Sequence, residues 1–294
     1  MTNKTTNPNN LVAYQGEPGA FSDLACQHCL RDMERLPCTR FEDAFAAVQD
    51  KRAALAMIAI ENSVAGRVAD TYHLMRDTGL HIIAEHFEPI HHQLLAVSGA
   101  TLATIRTVYS HVHALGQCRN FIRDNGLTAI VADDTAGAAA MVAERGDRTV
   151  AAIASELAGK IYHLSSVSRN IEDAAHNTTR FLVLSREKKW APLGGVTVTT
   201  FVFSVRNVPA ALYKALGGFA TNAINMTKLE SYMVDGNFTA TEFYADVEAH
   251  PKERRLKLAF EELEFFSRKF EILGVYPAAK ERTEPGWGLS NAAN

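Results

Sequence analysis

From residue 11 to about residue 186, short apolar runs alternate with alanine-rich helical stretches, and this restricts the fold of the 294-residue chain more tightly than any other feature. Residues 11–14, 54–60, 94–97, 107–109, 127–131 and 149–154 read as strands. Residues 41–49, 114–122 and 135–144 carry helical patterns with polar starts. That order is the mark of an α/β layer structure with largely parallel strands. Ligands in such sheets bind outside the carboxyl ends of the strands, so the residues just after each strand are where chemistry should be sought.

The pattern changes at 187–195, where Lys188, Lys189, Pro192, Gly194 and Gly195 interrupt it, and this stretch reads as a linker. Beyond it, 196–205 alternates as a strand, 209–222 is helical, and 224–234 and 239–248 give two more strands around an Asp235-Gly236-Asn237 turn. Leu256, Ala259, Phe260, Leu263 and Phe266 then share one helical face, and 270–276 closes as a strand. The resulting β-α-β-β-α-β order is ferredoxin-like and assigns 196–277 to a second domain after a first over 11–186. Residues 1–10 and the tail beyond Pro277 are expected to be disordered.

Composition narrows the function. The formal charge of −3 supplies no global basic field for nucleic acid or anionic lipid, so an anionic ligand must be held by a local site. The first ten residues lack the apolar run of a secretory signal, and no stretch of about eighteen apolar residues suggests a membrane span. A cytoplasmic protein with a small-molecule ligand is expected. Cys26, Cys29, Cys38 and Cys118 are too few to staple such a chain; Cys26 and Cys29 share a CxxC spacing but have no second pair to complete a zinc site, and read as structural thiols.

Several strand ends carry polar groups: Glu61-Asn62-Ser63, Ser110-His111, Asp134-Thr135 and Ser155-Glu156, each read as following a strand and preceding a helix. Such side chains ordinarily cap helices, and the helix N-termini themselves favour anions. The Gly16–Ser22 segment offers a tight strand-to-helix turn but lacks a dinucleotide fingerprint, so a nucleotide cofactor is not expected. His111 and His113 lack carboxylates at metal-binding spacing and read as packing or capping groups; adjacent His91 and His92 point to opposite faces of a strand.

Taken together, these segments resemble the prephenate dehydratase family nearly end to end. The resemblance runs through Tyr14-Gln15-Gly16 to Phe21-Ser22, Ile60-Glu61-Asn62-Ser63 with Gly66, Ser110-His111 with Ala114-Leu115 and Gln117-Cys118, and Asp134-Thr135-Ala136. It continues through 152–157 and Ile171-Glu172-Asp173 to Asn177-Thr178-Thr179-Arg180-Phe181, whose Thr-Arg-Phe triplet is the most specific element. The resemblance implies a monofunctional enzyme. Its catalytic region would have two subdomains, like a type II periplasmic binding protein, followed by a ferredoxin-like ACT domain. The implied reaction is the cofactor-free and metal-free conversion of prephenate to phenylpyruvate, carbon dioxide and water in phenylalanine biosynthesis, a carbon–oxygen lyase step. Arogenate is the competing substrate.

By the same resemblance Thr179 donates a proton or hydrogen bond to the departing hydroxyl, with Glu61 as an alternative proton relay, since a carboxyl facing a dianion favours its neutral form. Asn62, Ser63, Ser110, His111, Gln117, Asn177 and Thr178 are the expected substrate contacts, and Phe181 the apolar wall beside the ring. Arg180 either grips a substrate carboxylate or binds a protein carboxylate. Val112 and His113 stand where a Pro-Gln pair is more usual. The ACT-like region implies phenylalanine as effector and a homodimer or homotetramer. There the family's Gly-Ala-Leu-Val element appears as Ala210-Ala211-Leu212-Tyr213, and its Glu-Ser-Arg-Pro element as Glu230-Ser231-Tyr232-Met233. An added Cβ and a lost Arg-Pro pair would weaken or redirect the control, while assembly needs neither. The reading from another class is a non-catalytic amino-acid or carboxylate sensor, against which stands the lack of a DNA-reading module.

Overall fold

The computed structural model describes residues 7–68, 71–206, 208–233 and 240–283. In chain order the first elements are β1 (Leu11–Gln15), α1 (Phe21–Cys29), β2 (Glu34–Cys38), α2 (Phe41–Gln49), β3 (Leu55–Asn62), β4 (Gly66–Arg67), α3 (Thr71–Asp77), β5 (His81–Pro89), β6 (Gln93–Ala96) and β7 (Thr107–Ser110). They continue as α4 (Val112–Gln117), α5 (Arg119–Asp124), β8 (Thr128–Val131), α6 (Thr135–Arg145), β9 (Val150–Ala154), α7 (Glu156–Ile161), β10 (Ser165–Ser168) and β11 (Thr178–Ser185). Last come β12 (Thr197–Val205), α8 (Ala211–Thr221), β13 (Met226–Met233), β14 (Ala240–Val247), α9 (Arg254–Phe266), β15 (Ser267–Pro277) and α10 (Lys280–Thr283). Two compact units result, 1–74 with 86–182 and 75–85 with 183–294.

In the first unit β1 lies between β2 and β3, parallel to both, and β11 adjoins β3. Leu11, Val12, Ala13 and Tyr14 are all buried, as expected of a parallel strand covered on both faces. β2 escapes sequence reading because Glu34, Arg35 and Pro37 break its apolar pattern; at a sheet edge the proline is tolerated. A second sheet runs β10-β6-β9-β7-β8. Its β7 is parallel to β8 and β9, whereas β6 is antiparallel to β9 and β10, so the expectation of largely parallel strands holds for only part of it. β9 is wholly buried and built mostly of alanine, which lets α6 pack its Ala136, Ala138, Ala139 and Val142 close against it.

Helix α6 follows capping logic at both ends. Asp134 accepts from the Gly137 N–H at 2.7 Å, and Gly146 ends the helix in the left-handed region. The single helix expected over 114–122 is instead two, broken at Cys118. Asp173 holds the break: its N–H donates to the Gln117 carbonyl at 2.7 Å, and its carboxylate accepts from Asn120 N–H at 3.2 Å. Glu61–Ser63 likewise departs from expectation, since β3 leads into a turn and the short antiparallel β4 rather than a helix.

The loop Gly16–Ala20 is fixed by α7. The Ser155 hydroxyl donates to Gly19 O at 2.5 Å while capping Ala158 N–H, and the Tyr162 hydroxyl donates to Pro18 O at 2.9 Å. A Cβ on Gly19, whose φ is +92°, would lie 2.7 Å from Ala158 Cα, so only glycine fits there.

The second unit realises the β-α-β-β-α-β order with sheet order β13-β14-β12-β15, every neighbouring pair antiparallel. Phe201 anchors its core, stacked on Phe219 at 5.7 Å and edge-on to Phe260 at 5.1 Å. Ile82 of β5 pairs with Gly274, where a side chain would run into the Ile82 carbonyl oxygen. The segment between β11 and β12 has no regular element, and within it Ala191 N–H donates to Val275 O at 2.8 Å. The 235–237 turn lies outside the described residues; so do residues 1–6 and most of the C-terminal tail, although Pro8–Asn10, capped by the Asn7 side chain, forms a short 3-10 helix and Lys280–Thr283 is helical, both against the expected disorder.

Candidate active site

Five polar side chains of the first unit form one hydrogen-bonded chain: Asn62 ends β3, Asn177 immediately precedes β11 and Thr179 lies on it, Gln117 ends α4 and His92 precedes β6. The Asn62 carbonyl Oδ1, at the end of β3, accepts from Val64 N–H at 2.9 Å and Ala65 N–H at 2.7 Å. Because backbone N–H groups can only donate, this fixes the Asn62 amide: Oδ1 faces the turn and Nδ2 faces away. Nδ2 then donates to Asn177 Oδ1 at 2.8 Å and to Thr179 Oγ1 at 3.0 Å. With its Oδ1 so used, Asn177 presents Nδ2 to Gln117 Oε1 at 3.0 Å, and Gln117 Oε1 also faces His92 Nε2 at 2.8 Å. An oxygen that accepts from Asn177 requires that His92 also donate, so the imidazole carries its proton on Nε2.

This polarity bears directly on Thr179. Its hydroxyl oxygen accepts from Asn62, so its proton is directed elsewhere. Thr179 is 9% exposed, Asn177 2%, and His92 2%, so the chain sits where hydrogen bonds compete little with water. Burial is the main cause that lowers the His92 pKa from its usual 6.5, opposed by the Gln117 bond and the nearby Glu172 carboxylate.

Around this chain other groups hold the backbone. Ser63 Oγ donates to His176 O at 2.7 Å and accepts from Thr178 N–H at 3.0 Å, while Ser63 N–H donates to Thr178 O at 2.9 Å, stitching β3 to β11. Arg180, 2% exposed, donates to Glu61 Oε1 at 2.9 Å. Of the two readings of Arg180, the pairing with a protein carboxylate is the one seen.

Ser110 is fully buried and gives its hydroxyl to Ile153 O at 2.5 Å, so it secures β7 rather than offering a proton to a ligand. His111 caps α4 through Nδ1, which accepts from His113 N–H at 3.3 Å; burial lowers its pKa below the usual 6.5 and favours the neutral ring. Phe181 on β11 is 1% exposed and packed in the core. His92 was passed over as a site residue. The signal the sequence offered was its place just before a strand, because its partner Gln117 lies 25 residues away. Among the described residues no cluster of three or more His, Cys, Asp or Glu is arranged to hold a metal ion, and no helix is long and apolar enough to cross a membrane.

In the second unit Ala210 precedes α8 with φ +61°, Ala211 and Leu212 open that helix, and Glu230 and Ser231 lie on the edge strand β13. Glu230 Oε1 stands 3.4 Å from Lys228 Nζ. A groove of about 480 Å³ along α8 and α9 is lined by Tyr213, Lys214, Glu262 and Phe266 among others, and by none of these five.

A mixed α/β protein that links a buried hydroxyl through three amide side chains to an imidazole belongs among proteins that handle a small polar ligand. The prephenate dehydratase family model matches residues 12–189, and the chain belongs to that family. It is 50% identical over 280 residues to a bifunctional N-acyl-homoserine lactone acylase/prephenate dehydratase of Komagataeibacter europaeus, covering 95% of this chain and 100% of that one. It is 37% identical over 287 residues to arogenate dehydratase/prephenate dehydratase 2 of Arabidopsis thaliana, covering 94% of this chain and 75% of the plant protein. Among solved structures, a prephenate dehydratase from Arthrobacter aurescens in complex with L-Phe superposes with a TM-score of 0.85 at 28% identity, over 92% of this chain and 90% of that one. A structure described as a novel type of quorum-quenching acylase superposes at 0.88 with 50% identity, over 92% and 99%.

Proposed function

We propose that this chain is a prephenate dehydratase, a lyase converting prephenate to phenylpyruvate in phenylalanine biosynthesis. The observation that carries the mechanism is the fixed polarity of the Asn62–Asn177–Gln117–His92 chain, which leaves the Thr179 proton available. In the reaction one proton is consumed. The ring C–O bond breaks as its oxygen takes that proton and leaves as water, the C–C bond to the ring carboxylate breaks to release carbon dioxide, and its electron pair completes the aromatic ring. Thr179 hydrogen-bonds the departing oxygen and offsets the charge that develops on it. Glu61, engaged by the buried Arg180 cation, is better suited to holding that arginine in place than to acting as a neutral acid, which supports Thr179 over the relay.

Asn62, Gln117 and Asn177 then act mainly on Thr179 and on one another, while His111 and Thr178 remain candidate substrate contacts. Arogenate, whose dehydratases are among the relatives, is the competing substrate. The decisive test is phenylpyruvate formation from prephenate by purified protein, beside an arogenate assay and a no-enzyme control. Turnover of neither substrate by folded protein would overturn the proposal.

We further assign the second unit's β-α-β-β-α-β portion as an ACT regulatory domain, reading the catalytic region as 11–186 with two subdomains. The Arthrobacter relative's complex with L-Phe supports phenylalanine as effector, and assembly of a homodimer or homotetramer through this domain is part of the same proposal. A cytoplasmic setting stays part of this proposal. The name of the Komagataeibacter relative favours a second reading, N-acyl-homoserine lactone acylase activity, which would make the chain bifunctional. Ser110 and Ser155 are poor nucleophiles for it, since both hydroxyls donate to backbone carbonyls. Hydrolysis of the acyl amide bond, releasing a fatty acid and homoserine lactone, that survives Thr179→Ala would place that activity on a different group.

A further inference from the structure

We propose that His92 is a positioning residue for the dehydration, anchoring the far end of the amide chain so that Gln117 and Asn177 hold Asn62 and the Thr179 hydroxyl in their productive arrangement. This inference rests on the Thr179 reading above and extends it to a residue outside contact with the reacting atoms.

Gln117 lies at the last turn of α4, next to the helix break, and its side chain is held by Asn177 at 3.0 Å, by a long 3.4 Å bond to Asn62 Oδ1, and by His92 at 2.8 Å. The His92 bond is the shortest of the three and, among the described residues, the one from outside the asparagine pair. Without it Gln117 Oε1 keeps a single donor, and a glutamine with several rotatable bonds is free to turn away, stranding Asn177 Nδ2.

His92 itself is heavily constrained. Its N–H donates to Glu172 Oε2 at 2.9 Å, its carbonyl accepts from Ile171 N–H at 3.0 Å, and its ring stands perpendicular to Phe21 with centroids 5.3 Å apart. Glu172 also binds His91 Nδ1 at 2.7 Å, so one carboxylate fixes both histidines. The charged and titratable groups bearing on His92 are Glu172, which favours its protonation, and His91, which opposes it. Its Nδ1 is buried with no partner among the described residues. A proton on Nδ1 would gain no acceptor there, so the ring is held neutral with its one proton on Nε2, facing Gln117.

The test compares His92→Gln, whose amide N–H can reach the place of Nε2–H, with His92→Met, which keeps the bulk but not the donor. His92→Met is expected to lower kcat about tenfold with KM little changed, the effect of one lost buried hydrogen bond, and His92→Gln to recover most of the loss. The same change made in Thr179→Ala is expected to have no further effect on residual turnover, because its action passes through that hydroxyl. If His92→Met lowers kcat equally in both backgrounds, or His92→Gln is no better than His92→Met, the positioning role is wrong. If Thr179→Ala alone turns over normally, the Thr179 reading fails first. Should His92→Met not fold, ¹⁵N NMR of histidine-labelled wild type at pH 7 decides: an Nε2–H neutral ring supports the proposal, and an Nδ1–H ring or an imidazolium at His92 overturns it.

Discussion

Asn62→Asp is the sharpest perturbation of the site, because it changes one NH₂ into an oxygen and almost nothing else. Aspartate Oδ1 keeps its bonds from Val64 and Ala65 N–H at 2.9 and 2.7 Å, so the turn after β3 survives. The second oxygen now faces Asn177 Oδ1 at 2.8 Å and Thr179 Oγ1 at 3.0 Å. Two acceptors at 2.8 Å repel, so Asn177 must flip, and its Oδ1 then meets Gln117 Oε1 across 3.0 Å. Either the conflict passes to His92 or one pair is left unmade, at a cost of about 1–3 kcal/mol in stability. Thr179 turns to donate to the new carboxylate, a charge-assisted bond stronger than the neutral one it replaces. Its proton is thereby withdrawn from the substrate, and kcat should fall by roughly 10²–10⁴-fold. Initial rates of phenylpyruvate formation, with melting curves to confirm folding, measure both effects. A folded Asn62→Asp protein with kcat within about threefold of wild type, far short of the loss expected of a missing acid, would refute the polarity argument.

Other expectations follow from single contacts. Glu61→Gln removes the carboxylate from the buried Arg180; as Glu61 is itself 32% exposed, the cost should be a moderate ~1–3 kcal/mol, read by urea unfolding, and an unchanged midpoint would count against the pair. Gly19→Ala forces a Cβ to 2.7 Å from Ala158 Cα at φ +92° and should destabilise by about 2–4 kcal/mol; a neutral result would mean the loop moves freely. Ala210→Gly should stabilise by ~0.5 kcal/mol, since relief of the left-handed penalty at φ +61° slightly exceeds the entropy glycine adds to the unfolded chain; a lower melting temperature would contradict this. His92 and His111 have folded pKa values below 6.5, so below that pH the unfolded chain binds protons that the fold refuses. Their linkage leaves stability intact above pH 6.5 and erodes it as pH falls toward the folded values, and the slope should lessen in His92→Gln.

Much of the fold could be read locally. The strand at 11–14, the helix at 41–49 and the β-α-β-β-α-β order after residue 196 reflect apolar periodicity, which burial on one or both faces imposes on the chain itself. The Thr-Arg-Phe triplet and its companions pointed to the family, and the family match over 12–189 agrees. Elements whose stability comes from neighbours were harder to see. β2, with its proline and charges, exists because β1 offers a parallel edge, and the helix at 114–122 breaks because Asp173, more than fifty residues on, binds both sides of Cys118.

The same division runs through the site. Residue types at strand ends marked Asn62, Gln117, Asn177 and Thr179 as polar groups worth attention, because chemistry is carried by side chains the sequence states outright. Which of them face a ligand and which face each other depends on hydrogen-bond direction, and direction is set by partners far apart in sequence. Ser110 was spent on Ile153 O, Arg180 on Glu61, and His92 was drawn in through Gln117. Sequence by itself determined the element pattern and the inventory of donors and acceptors. Only the tertiary structure decided the polarity of the amide chain: a local turn orients Asn62 through Val64 and Ala65 N–H, but that orientation reaches Asn177, Gln117 and His92 only because the fold brings these sequence-distant groups together.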